Sequence, residues 1–434
     1  MVLIWLKNKL SSKVNEVIER NSKVSTAISE MEKINKACFL SVAQNSTDYV
    51  NKSKTSTIRV ILIILGRMSC ISIAIKFVLS AITAQVCIRI TYKNNINSKM
   101  FWLKPWIRDL ICDQSFLFGN HTLVSLMCFA FAVGILSILV VLTYQEINRT
   151  AYFIEIIQQL KSNTIEYPLN FQNERKFAIS FNLMIKPVKK LLILTIILTW
   201  LLAAFATTLA YRHPDTNFQV INIIFWSIMS VVFITQCFGV LWFGFLLWFG
   251  CSLYLMFKFS EVFEKIQLIT RNPKNVLNGY RILKAIEEHN FVHIMTEKMN
   301  HFFRMITLII YLMGAPGFLV CLYLTHHKES SGVTRIYSMV IFFTCFIPVV
   351  AMNLLSSRID RAAKMSLDCL QSYLSHGNPR LTISKRLKIL SFLEHLTGAD
   401  IGFSCYTLFH MDMMAFFEFI YMCGGNYFLL LSLF

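Results

Sequence analysis

The sequence predicts an all-α, polytopic membrane protein of seven spans, with its N-terminus in the cytoplasm and its C-terminus outside. Three observations carry this. The 434-residue chain is 55% hydrophobic, 14% aromatic and only 15% charged, more apolar surface than a soluble core of that size uses. Seven stretches reach the length of about 20 residues that a helix needs to cross a hydrocarbon core of about 30 Å. Lys and Arg segregate to alternate connecting segments. Helices follow because lipid offers no partner for an unpaired backbone amide, and the alternating pattern of a barrel strand is absent from the sequence.

The spans are Val60 to Val86, Thr122 to Tyr144, Leu191 to Tyr211, Val220 to Phe257, Met305 to Thr325, Ile336 to Leu355 and Met411 to Phe434. The fourth is long enough to be one projecting helix or two helices with a tight turn. Charge arbitrates between them. With seven spans and a cytoplasmic N-terminus, 32 Lys and Arg lie inside and 8 outside, with Arg67 and Lys76 within the first span. Splitting the fourth span gives 19 inside and 21 outside, which is no bias. Met1 to Leu6 is too short an apolar run for a cleavable signal, so the first span is expected to act as the insertion signal.

Four regions follow: a cytoplasmic N-terminal region (1–59), a six-span bundle (60–355) that includes a cytoplasmic helical hairpin (258–304), a cytoplasmic helical anchor (356–410) and the seventh span (411–434). In Val276 to Phe303, Leu283, Ile286, Val292, Met295, Met299 and Phe302 recur at helical spacing. Asn272-Pro273 and His376-Gly377-Asn378-Pro379 break the helical pattern and imply two hairpins below the membrane. Their apolar stripes need cover from each other or from neighbouring subunits. Val14 to Phe39 is amphipathic and suits either the inner leaflet or docking on the hairpins.

The net charge of +18 does not point to nucleic acid, since no contiguous basic block or zinc-finger spacing accompanies it. The basic residues face the anionic inner leaflet instead, so membrane lipid is an expected partner. No phosphate-binding glycine loop, nucleophile elbow or zinc-protease helix occurs, so neither an enzyme nor a cofactor is expected. His289 and His293, four apart beside Glu287 and Glu288, have metal-ligand spacing but no fixed third ligand, with His301 two turns on. A solvated helix face is the better reading of the pair. Cys87 and Cys112 lie on the outer side, where a disulfide can form, and Asn120-His121-Thr122 is an outer glycosylation sequon.

Two constellations suggest a function. In the last span, Glu418, Gly425 and Ser432 recur by sevens and fall within about 40° of one another, with Leu429 on the same stripe. Such a face suits a water-filled pore, and it also suits close helix packing. Phe129, Tyr211, Asn222, Trp226, Phe318, Tyr323 and Tyr337 form a mixed aromatic and polar set in the outer halves of the other spans. That is the composition of a small-molecule pocket and of ordinary interhelical packing alike. Pro316 and Pro348 favour space between the fifth and sixth spans.

The stretches Ile401-Gly402-Phe403-Ser404 and Leu408-Phe409-His410-Met411-Asp412, with the closing Asn426 to Phe434, resemble the end of the arthropod gustatory receptor family. The family pattern is Thr-Tyr, five apolar residues, then Gln-Phe. Tyr427 and Phe434 fit it, while Asn426 replaces Thr and Leu433 replaces Gln. The resemblance implies a chemosensory receptor of the insect chemoreceptor superfamily: a homo- or hetero-tetrameric ligand-gated cation channel in the plasma membrane of a sensory neuron. It further implies a tastant or odorant-like ligand, a pocket in the outer half of the bundle, and a pore along the last span with Leu433 at the pore-facing Gln position. The alternatives are a G-protein-coupled receptor and a transporter. The first would put 32 Lys and Arg on the wrong side of the membrane and lacks Asn-Pro before the last-span tyrosine, and Tyr211-Arg212-His213 has a tyrosine where that class has an acid. The second lacks internal repeats.

Overall fold

A computed structural model describes residues 28–31, 33, 64–76, 78, 121–147, 167–210, 217–271, 278–326, 332–375, 381–398 and 400–433. Its helices are α1 (64–76), α2 (His121–Ile147), α3 (Phe171–Ala210), α4 (Asn217–Arg271), α5 (Asn278–His326), α6 (Gly332–Lys364), α7 (Ser366–Ser375) and α8 (Ile383–Gly398). A two-stranded antiparallel hairpin, β1 (Ser404–Cys405) and β2 (Phe409–His410), precedes the last helix, α9 (Met413–Leu433). Residues 45–57, Cys87, Cys112, Asn120, Tyr211 and Phe434 lie outside the described residues.

The overlong fourth stretch is one helix with no turn. At 55 residues, α4 is about 82 Å long, far more than a bilayer core of about 30 Å requires. Helix α5, with 49 residues, returns alongside it. By length and composition, Val220–Arg271 and Ser338–Ser375 are able to cross a membrane. Only 22% and 31% of their most apolar stretches are buried within the chain, whereas the core helix of a soluble protein is mostly covered. Exposed Leu183, Leu194 and Leu201 on α3, and Ile221, Ile224 and Ile228 on α4, extend this uncovered apolar surface.

Close helix contacts form where side chains are small or flat. A Cβ on Gly317 of α5 would lie 2.6 Å from the Phe131 ring of α2, so only glycine permits that approach. Phe177 of α3 stacks on Phe181 and meets Tyr254 of α4 edge-on. In the N-terminal region, Ile28 and Met31 are buried in the core and Glu30 pairs with Lys189 of α3 at 2.8 Å. This segment therefore docks on the bundle.

Below the predicted span, α4 and α5 are joined by buried charge. Lys258 of α4 is 2.6 Å from Glu288 of α5 and 3.3 Å from Glu261. Lys265 closes the quartet, 3.0 Å from Glu261 and 2.8 Å from Glu288. The Lys258 ammonium also donates to the Pro168 carbonyl, and the Asn170 amide donates to Glu261. Asn170 in turn caps α3, its side-chain oxygen accepting from the Asn173 amide at 2.8 Å. One cluster thus holds three helices. Burial pushes the Glu261 carboxyl up, but the Asn170 amide and the two lysines outweigh it and hold the group below the usual carboxylate range. Its stabilising contribution is present above that range and is lost as acid protonates it.

Because Lys258 neutralises carboxylates that water cannot reach, Lys258→Met should lower stability by about 3–5 kcal/mol. Lys258→Met with Glu288→Leu should cost less than the single change. Thermal unfolding of the solubilised protein checks the order.

Candidate pore helix and ligand cavity

Helix α9 begins at Asp412, whose carboxylate accepts from the Ala415 amide at 2.7 Å, an N-cap that also suits the helix dipole. One face is covered: Phe419 and Cys423 are buried, Phe419 packs on Tyr311 of α5 with ring centroids 5.2 Å apart, and Tyr427 meets His326. The other face is uncovered. Glu418, Gly425, Asn426, Leu429 and Ser432 are all exposed within the single chain. So are Met414, Tyr421 and Phe428, which with Glu418, Gly425 and Ser432 make a run at alternating four- and three-residue spacing. That is the spacing of a seam along which helices pack on one another. Ser432 donates to the Leu429 carbonyl of its own helix at 2.8 Å. Leu433 ends the helix.

The segment before α9, which the sequence places in a helical anchor, turns out to include the β1–β2 hairpin. Gly402 has a φ of +156°, and a Cβ there would meet His410 at 3.1 Å, while Tyr406 has a φ of 53°. Neither geometry continues a helix. Helices α5 and α6 hold the hairpin through side chains: Asn300 accepts from the Ser404 amide, Ser356 from the Phe403 amide and Asp360 from the Ile401 amide. Phe403 is fully buried, with ring centroids 5.2 Å from Trp248 of α4 and 5.8 Å from Phe303 of α5. Tyr311 contacts both the hairpin, through Phe409, and α9, through Phe419, and its hydroxyl accepts from Asn353 of α6.

A cavity of about 50 Å³ lies directly against this joint. It is lined by α2 (Phe131, Gly134, Ile135, Ile138), α4 (Leu241, Gly244, Phe245, Trp248), α5 (Phe303, Ile306, Ile309, Ile310) and α6 (Pro348, Met352). Pro348 interrupts the α6 ladder where this space occurs. Of the residues expected to form a ligand pocket, Phe129, Asn222, Trp226 and Tyr323 do not line it. Phe129 is half-buried on α2, Asn222 and Trp226 are half-buried one turn apart on α4, and Tyr323 is buried on α5. Phe318 lies in α5 and Tyr337 in α6. The cavity begins at Leu241, about 22 Å along α4 from Trp226.

No protein-family model matches the sequence. No curated protein matches it either. Solved structures do. The olfactory receptor OR5 of the insect Machilis hrabei, in complex with eugenol, aligns with a TM-score of 0.59 at 10% identity, over 87% of this chain and 89% of that one. A second structure of the same receptor aligns with a TM-score of 0.59 at 12% identity, over 87% and 90%. The fold is that of an insect olfactory receptor. Within this olfactory-receptor fold, α9 is the final helix, and the cavity lies among α2, α4, α5 and α6, of which α5 and α6 pack against α9.

The histidine pair departs from expectation. His289 is not on a solvated face: it is buried, its rings lying 5.0 Å from Phe259 and 5.0 Å from Phe392, and its Nε2–H donates to the Ala363 carbonyl at 3.1 Å. Glu288 is buried in the charge quartet, while Glu287 and His301 are exposed. His293 stands edge-on to His395 of α8, 5.1 Å away. Among the described residues no group of three or more His, Cys, Asp or Glu is arranged to hold a metal.

Desolvation pushes the His289 imidazole down to about 4, and its buried Nδ1 has no hydrogen-bond partner among the described residues. A base with a depressed folded value stabilises above its unfolded value, about 6.5, and loses that contribution as pH falls toward 4. Unfolding temperature should therefore drop across this interval in the wild type by the equivalent of about 3 kcal/mol. The drop should be shallower in His289→Gln, which retains a donor for Ala363.

Proposed function

We propose that this chain is a subunit of a chemosensory, gustatory-like receptor that is itself a ligand-gated cation channel. Four copies would surround a pore lined by Glu418, Gly425, Leu429, Ser432 and Leu433. The observation that carries the reading is the division of α9 into one face packed on Tyr311 and His326 and another, bearing Glu418, Gly425 and Ser432, left uncovered by the chain. Lipid does not favour a carboxylate on such a face, whereas a hydrated axis shared between copies does. The resemblance of the C-terminal stretches to gustatory receptors supports the same reading, and so does a fold shared with an olfactory receptor.

The ligand in this reading is a small tastant or odorant-like molecule, as eugenol is for the Machilis receptor. It would enter a pocket in the outer half of the bundle built from Phe129, Tyr211, Asn222, Trp226, Phe318, Tyr323 and Tyr337. Lys76 supports some polarity there, its ammonium lying 5.1 Å from the centre of the Trp226 ring. Seven spans, a cytoplasmic N-terminus and residence in the plasma membrane of sensory neurons complete the proposal. The uncovered apolar residues Ile383, Leu387 and Leu390 of α8 would then meet neighbouring subunits below the membrane.

In cells without G-protein signalling, a panel of small tastants and odorants should evoke a cation current, and Glu418→Gln should weaken the preference for cations over anions. A response that disappears with G-protein signalling contradicts the channel reading. An N-terminal tag stained on intact cells contradicts the orientation.

A further inference from the structure

We propose that Arg304 and Tyr406, where α5 meets the β1–β2 hairpin, form a headgroup site for an anionic phospholipid. Their level is that of the membrane surface. Arg304 immediately precedes Met305, where the fifth span begins, and Tyr406 stands six residues before Asp412, the cap of α9. Both elements therefore pass from polar to apolar surroundings at this joint. The choice of leaflet rests on the proposed orientation: with the N-terminus in the cytoplasm it is the inner one, whose anionic lipids attract basic groups.

The charge calls for a partner that the described residues do not supply. Among them Arg304 makes no hydrogen bond and no ion pair, and its guanidinium carbon lies 5.6 Å from the centre of the Tyr406 ring. The residue is half-buried, with Nε enclosed and without an acceptor, so the terminal nitrogens are the atoms left to meet a ligand. The carboxylates of the joint are already engaged. Asp412 accepts from the Ala415 amide, while Asp360 accepts from the Ile401 amide and pairs with Lys364 at 2.9 Å. A partly desolvated guanidinium without a counter-charge is unfavourable, and its planar fork matches the oxygens of a phosphate.

The surface beside this cation is aromatic and apolar, which favours a lipid over a free phosphate or a second copy. Tyr406 is 40% exposed and Leu408 65%, at the tip of the hairpin, where the Leu408 amide donates to the Cys405 carbonyl. Met413 and Met414, in the first turn of α9, are exposed as well. Tyrosine joins an apolar ring to a polar hydroxyl and suits the headgroup level, with aliphatic neighbours toward the acyl chains. Free phosphate would leave that apolar surface in water. A second copy laid over it would bury the guanidinium without a counter-charge unless it brought a carboxylate. A headgroup held here bears on the base of the last helix, and only that consequence depends on the channel reading.

The test uses the full chain in detergent micelles, titrated with phosphatidylserine, phosphatidylcholine or inorganic phosphate, with bound lipid counted by native mass spectrometry. Phosphatidylserine should bind saturably, about tenfold more tightly than phosphatidylcholine, whose choline cancels the phosphate charge, and inorganic phosphate should not displace it. Arg304→Gln should weaken that binding about tenfold, and Arg304→Lys less. Tyr406 has a φ of 53°, which asparagine tolerates, so Tyr406→Asn should weaken binding several-fold at an unfolding temperature close to wild type. Phosphatidylserine affinity unchanged by Arg304→Gln, equal affinity for phosphatidylcholine, or displacement by inorganic phosphate overturns the proposal. So does an Arg304→Gln chain that loses subunit assembly while keeping its lipid affinity, which assigns the surface to a second copy. Micelles have no sidedness, so an N-terminal tag stained on intact cells contradicts the orientation and the leaflet without altering the binding result.

Discussion

The quartet of Lys258, Glu261, Lys265 and Glu288, buried but for the half-exposed Lys265, is the constraint on which the arrangement of the long helices depends. Moving two carboxylates and an ammonium out of water is unfavourable unless each finds partners of good geometry. Here they do, with distances of 2.6 to 3.3 Å, and the Asn170 amide and Pro168 carbonyl take up remaining capacity. Such a cluster is satisfied in one register of α4 against α5 and in one placement of the α3 N-terminus. It lies far along helices of 55 and 49 residues, so a register fixed there is fixed along their whole length, including the walls of the inner cavity.

Upon this frame the β1–β2 hairpin forms a rigid joint. Three polar side chains from α5 and α6 take up its backbone amides, and Phe403 fills the space between Trp248 and Phe303. Tyr311 then spans from the hairpin to α9. The helix with the uncovered polar stripe is thus tied to the bundle through aromatic contacts on one face, while its other face is open to whatever surrounds it. Displacement of α9 relative to the bundle would have to be accommodated at Phe403 and Tyr311.

Much of the helical layout was legible in the sequence because apolar runs and charge asymmetry are local signals. The stripe Ile286, Val292, Met295, Met299 and Phe302 is buried as its periodicity predicts, with Leu283 half-covered. The same stripe carries a second signal. His289 sits three residues from both Ile286 and Val292, on the buried face, and residue type suggested solvent where periodicity indicated core. Lys258, Glu261 and Lys265 carry the three- and four-residue spacing of a helical ion cluster, but Glu288, which completes it, is 23 residues beyond Lys265. Phe403 and Trp248 are farther apart still, and no local pattern brings them together. The hairpin escaped because its two-residue strands carry no alternation to detect, leaving Gly402 as the only local hint. In α9 the seven-residue recurrence of Glu418, Gly425 and Ser432 was visible from the start. The structure adds that Tyr427 points to His326 while that stripe is uncovered.

The central claim is that the uncovered stripe of α9 lines an aqueous path. Substituted-cysteine accessibility addresses it directly, using a membrane-impermeant cationic thiol reagent applied during ligand-evoked current. Cysteine at Gly425 or Ser432 should react and block the current, while cysteine at Phe419, on the covered face, should not respond. Rapid modification at Phe419 with no effect at Gly425 and Ser432 would contradict the account.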